Sequence, residues 1–134
     1  MILSDVMDQL ATQLDTITGL RVSAYPPDNV QVPVAVVGFP ESIQFDLTFG
    51  RGVDHIEFPV FVLVGKVWDR TTRDEIAAYC SGSGAKSVKA VLAAGTYTAM
   101  SSVRVSSATL ETVSVAGTEY LAAIFVVDVF GTGA

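Results

Sequence analysis

Few residues in this chain are suited to chemistry, and each has a simpler role to be weighed against it. Ser81-Gly82-Ser83-Gly84-Ala85-Lys86-Ser87 has the glycine and lysine content of a phosphate-binding loop. That loop needs glycine directly before the lysine and a strand leading in, so that backbone amides and the lysine converge on one phosphate. Here Ala85 precedes Lys86 and helical sequence comes before, so the stretch reads as a helix–helix connector with N-capping serines. His55 is the sole histidine and lies beside a turn, where a solvated ring is commonplace. No Gly-x-Ser-x-Gly elbow offers it a nucleophile to activate. One histidine and one cysteine (Cys80), far apart in sequence, do not make a zinc ligand set. Asp46, Asp54 and Glu57 lack the dense alternation of oxygen ligands of a calcium loop. These carboxylates are expected to solvate a sheet edge, and Cys80 to pack as a small apolar thiol. No catalytic, cofactor-binding or metal-ligating residue is expected.

Other residues point to contact between surfaces. Trp68, ahead of Asp69 and Arg70, is either a lid on the core with a capping aspartate or an interface anchor, since Trp and Arg are enriched at binding hot spots. Arg51, between Gly50 and Gly52, is either a solvated turn residue or a docking finger for an acidic surface.

The elements that must position these residues follow from hydrophobic spacing. Leu3, Met7, Leu10, Leu14 and Ile17 mark one face of a helix over residues 4–17, with Ser4 as N-cap and Gly19 at the C′ position. Strands are expected at Leu20–Ala24 and Val34–Gly38. A hairpin follows: Ile43, Phe45, Leu47 and Phe49 alternate with polar residues, Gly50-Arg51-Gly52 turns, and Ile56, Phe58, Val60, Val62 and Val64 return. Phe61 and Leu63 make the opposite face of that return apolar too, so a second cover or another subunit is expected there. Pro59 cannot donate to a ladder and predicts an edge or a bulge. Thr72 and Glu75 have capping-box spacing for a helix to Cys80, and Lys86–Ala94 predicts a second short helix closed by Gly95. Strands at Val103–Ala108, Leu110–Val115 and Glu119–Phe130 complete the chain, the last apolar on both faces and therefore central. Segregated strands and helices predict one α+β domain over residues 1–134: a mainly antiparallel, mixed sheet with an N-terminal helix and two short helices packed on it.

Composition narrows the function classes. The 134 residues carry 8 Lys+Arg and 14 Asp+Glu, a net charge of −6, and only 16% are charged. The apolar share is about 55% when glycine is counted and tyrosine left out, against roughly 45–50% in ordinary soluble domains. Disorder is excluded, and no apolar run reaches the roughly 18 residues of a membrane-spanning helix. Met1–Leu10 carries acidic residues and no basic segment, so a secretory signal is not expected. The lone cysteine fits a reducing compartment, and the absence of a basic cluster speaks against tight nucleic-acid binding. Excess apolar surface with few charges points to self-association.

From the hairpin onward the sequence resembles tail terminator proteins of long, non-contractile-tailed bacteriophages of actinobacteria. The likeness rests on Thr48-Phe49-Gly50-Arg51-Gly52, Phe58-Pro59-Val60, Val62-Leu63-Val64-Gly65, Asp69-Arg70, Ser81-Gly82-Ser83-Gly84 and Ser87-Val88-Lys89 in that order. Gly19-Leu20-Arg21-Val22, the proline-rich Tyr25–Pro33, Ala35-Val36-Val37-Gly38 and Tyr120-Leu121-Ala122-Ala123 extend it over nearly the whole chain. The resemblance implies a structural virion protein without catalytic residues, made in the host cytoplasm and placed in the tail neck. It implies a homo-oligomeric ring, typically a hexamer, that caps the head-proximal end of the tail tube and ends its polymerisation. Its partners are then its own copies, the major tail tube protein, the head-closure or connector protein, and double-stranded DNA passing through the lumen without specific binding; a membrane is not among them. Phe49, Arg51, Trp68 and Arg70 become candidates for the subunit or neck interface. Asp46, Asp54 and Glu57 become candidates for a lumen whose like charge lets DNA slide. A head-closure or connector protein, or a small ligand-binding α+β domain, are the alternative readings.

Overall fold

The computed structural model describes residues 2–17, 19–23, 33–40, 42–45, 52–66, 70–115 and 117–132. Along the chain run α1 (Leu3–Leu14), β1 (Arg21–Ser23), β2 (Val34–Val37), β3 (Ser42–Gln44) and β4 (Val53–Lys66). These are followed by α2 (Arg70–Tyr79), α3 (Val88–Ala94), β5 (Ser102–Val115) and β6 (Thr118–Thr132). The fold is α+β. All six strands form one sheet in the order β1-β2-β4-β6-β5, with β3 joining β4 beyond the end of β2. Only β1 and β2 run parallel; every other pairing is antiparallel.

The alternation in β4 does what a period of two requires. Ile56, Phe58, Val60, Val62 and Val64 are all buried and meet Ala123, Phe125, Val127 and Val129 of β6 in one core. All three helices close that core from the same side, through Val6, Leu10 and Leu14 of α1, Ile76 and Tyr79 of α2, and Val88 and Leu92 of α3. Polar side chains of α1 fasten the helical layer. Gln13 Nε2 donates to the Val91 carbonyl at 2.8 Å, and Gln9 Oε1 accepts from the backbone N–H of Thr98 and Ala99 at 3.0 and 3.1 Å.

Several local expectations are corrected by tertiary context. Ser4 lies inside α1; the cap position is Ile2, which has no side-chain cap bond. The helix stops at Leu14, yet Ile17 stays buried because a tight turn, with Ile17 N–H on the Leu14 carbonyl at 3.0 Å, folds it back. Gly19 supports that exit with φ +83°, a conformation that strains side chains with a Cβ. Thr72 is no cap either, since α2 begins at Arg70. The Thr72 side chain is buried against Gly65, where an added Cβ would stand 2.5 Å from its Oγ1. The two strands expected over 103–115 are a single strand, β5, carried past Ser106 by a bulge between Val105 and Ser107.

Pro59 sits in a strand paired on both sides, not at an edge. Its carbonyl accepts from Gly38 N–H at 2.8 Å, and N–H and C=O of one strand residue point the same way. The missing donor therefore faces Gly38, just past the end of β2, where only the reciprocal bond of that terminal pair is lost.

Ser87 is the N-cap of α3, as its position before an apolar helix implies. The fully buried Oγ accepts from Ala90 N–H at 3.1 Å and donates to the Ser81 carbonyl. Ser87→Ala is expected to cost about 1–2 kcal/mol, through the lost cap and an orphaned carbonyl. Ser83→Ala, at an exposed connector position, should stay within about 0.5 kcal/mol of wild type. Urea unfolding midpoints of the two variants check the contrast.

Candidate functional site

The sheet face away from the helices begins as an apolar strip. Val34 and Val36 of β2, Leu63 of β4 and Ala122 of β6 are buried together, with Phe61, Val113 and Tyr120 half-buried against them. The strip continues through Pro59, Ile124 and Val126, paired across the strands as Pro59–Val126 and Phe61–Ile124. Among the described residues no helix packs on this face.

Large apolar side chains stand exposed at both lateral edges of the sheet. On the β2–β3 side are Phe39, Ile43 and Phe45, at 74%, 38% and 69% exposure. On the opposite side Leu110 of β5 is 59% exposed. Residues 106–112 of β5 are exposed throughout, and the strand carries only two charges, Arg104 and Glu111, in 14 residues. Edge strands are usually shielded by lysine, proline or short length. Apart from its bulge, β5 has none of these.

At its other end the open face turns polar. His55 and Glu57 are two apart on β4 and share this side; Asp128 of β6 lies directly opposite Glu57. His55 Nε2 is 2.9 Å from Asp128 Oδ1, and its Nδ1 is 3.3 Å from Gln44 Oε1 of β3. The ring stacks on Phe130, with centroids 4.7 Å apart and planes at 17°. Arg104 approaches Asp128 Oδ2 at 3.9 Å from a mostly exposed position. His55 is thus not the solvated turn residue its sequence position implies; its side chain is 15% exposed.

The candidates read from sequence are scattered. Phe49, Arg51, Trp68 and Asp46 lie outside the described residues. Arg70 opens α2 and is exposed. Asp54, read as a solvated edge carboxylate, is instead buried on the helix side of β4 at 8% exposure. Glu57 is half-buried within the polar end of the open face. Sequence reasoning missed Asp128, Gln44, Phe39 and Leu110. Asp128 had a signal, as the one charge in the otherwise apolar Ile124–Phe130.

On the helix side, a concavity of about 350 Å³ is lined by Gly95, Tyr97, Ser101 and Val103, among others. The Tyr97 hydroxyl donates to the Leu92 carbonyl at 2.6 Å, and burial pushes its pKa up to about 12. Burial also pushes the Cys80 thiol up, which holds it in the protonated form at neutral pH. No family model matches the chain, and no curated protein matches it in sequence.

The Tyr97 shift carries a pH dependence. Because the folded protein holds the proton more tightly than the unfolded chain, this contribution is complete below the ordinary value of 10.0 and is lost as pH rises through about 12. Tyr97→Phe removes that loss. The variant should unfold about 1 kcal/mol more easily at neutral pH, through the lost hydrogen bond, and its stability should fall less steeply in alkali. Urea midpoints of both proteins across this range provide the measurement.

Proposed function

We propose that this chain is a structural, ring-forming protein of a bacteriophage tail neck. It acts as a tail terminator that caps the head-proximal end of the tail tube, ends tube growth and joins the tube to the head connector. Its work is binding rather than turnover. One observation carries the self-association: unlike apolar groups stand exposed on opposite edges of one sheet, Phe39, Ile43 and Phe45 on one and Leu110 on the other. A ring built from one chain needs two different patches that meet head to tail and close by rotation. A stable contact takes roughly 800 Å² from each partner. Two such contacts are a modest share of the 7632 Å² surface. The acidic balance, −6 in net charge, suits a channel that repels phosphates and leaves DNA free to slide. The ordered likeness to tail terminators supplies the biological setting.

Light scattering after size exclusion tests the assembly. Wild type should form closed oligomers, whereas Phe45→Asp and Leu110→Asp should each weaken association about 100-fold or more while folding normally. Mixed together, the two variants should recover a dimer and nothing larger, because each keeps one intact patch. Electron microscopy should show the wild-type ring on isolated tail tubes. A wild-type monomer at high concentration that ignores tubes would overturn the proposal, and capture by filled heads instead would move the protein to the head-closure side of the neck.

A further inference from the structure

We propose that His55, Glu57 and Asp128 form a binding site for one divalent transition-metal ion of the zinc class. Their donor atoms, one from each side chain, all lie within 4.8 Å of one another. Zinc bonds of about 2.0–2.2 Å to nitrogen and oxygen place tetrahedral ligands roughly 3.3–3.6 Å apart, so modest side-chain rotation closes the set. The backbone supplies most of the preorganisation. Two ligands come from alternate residues of β4, the third from the position opposite on β6, and at this level both strands are paired on both sides.

Three further features favour a cation. Glu57 and Asp128 face each other directly across the ladder, a like-charge pairing that the mostly exposed Arg104, 3.9 Å from Asp128 Oδ2, offsets only in part. His55 Nδ1 lies 3.3 Å from the Gln44 side-chain amide, which leaves Nε2 as the nitrogen turned toward the carboxylates. Metal-bound histidines are held in this way by an acceptor on the other ring nitrogen, and stacking on Phe130 fixes the plane.

The donor set selects the metal. One imidazole with two carboxylates suits zinc or a similar ion, whereas magnesium and calcium prefer oxygen-only shells. Three protein ligands leave a fourth position to water. The site stands independently of the ring, because all its ligands come from one chain.

The test is isothermal titration of the chelator-treated full-length protein with zinc chloride, using magnesium chloride as the control. One zinc ion per chain is expected, and no heat from magnesium. Glu57→Gln, at a half-exposed position, should abolish zinc binding with an unchanged circular-dichroism spectrum. Gln44→Ala, which removes only the acceptor behind the ring, should weaken it about tenfold. Cobalt(II) should give the intense visible bands of a four-coordinate site in wild type and lose them in Glu57→Gln. Absence of zinc binding to the folded wild type, or equal affinity in Glu57→Gln, overturns the site and leaves the His55–Asp128 contact as an ordinary side-chain hydrogen bond. Failure here with intact oligomers would leave the ring unaffected, and the reverse holds equally.

Discussion

The antiparallel register of β4 on β6 is the constraint on which the other features of this molecule depend. The ladder spans Val53–Lys66 against Tyr120–Thr132, and every other strand except β1 attaches to one of its two members. Slipping it by one residue would exchange the faces of the sheet and expel Phe58 and Val60 from the helical core. A slip of two keeps the faces and is the subtler danger in strands this apolar. It is opposed by the polar end, because it would set Glu57 or Asp128 against an apolar neighbour and part His55 from Phe130. The pleat therefore selects the face, and the His55–Glu57–Asp128 cluster selects the translation.

With the register fixed, the distribution of cover follows. Three helices can shield one face of a sheet, and among the described residues all three do so on the same face. The opposite face keeps its apolar strip, and the two lateral edges keep their aromatic and leucine side chains. A soluble monomer would ordinarily spend charge to guard such features, yet only 16% of the chain is charged and β5 has two charges in 14 residues. Among the described residues that long edge is left without a guard, and it is this exposure that the proposed ring would use.

Legibility in the sequence followed the range of the interactions. The alternation of β4 and the two-sided apolarity of β6 depend on neighbours a few positions away, and both could be read. A capping serine was legible in the 81–87 connector, though the helix starts two residues later than Lys86 and Ser87 is the one that caps it. The capping roles of Ser4 and Thr72 could not be read, because packing set where those helices begin. Thr72 is drawn inward against Gly65, whose lack of a Cβ makes the space. Val6 joined the core beside Met7 because α1 lies deep against the sheet. The polar end was invisible for a plainer reason: His55 and Asp128 are 73 positions apart, and only the ladder brings them together.

The polar end of the open face and the apolar edge share one short strand. β3 has three residues, and its side chains face opposite ways: Gln44 reaches His55, while Ile43, on the other face, is exposed at the edge beside Phe45. So short a strand has little ladder of its own, so its order depends on what holds Gln44 in place. Anything that fixes the His55 ring also holds Gln44, and with it the edge that would meet a neighbouring subunit. Alternate side chains of one three-residue strand therefore serve the polar cluster on one face and the apolar edge on the other.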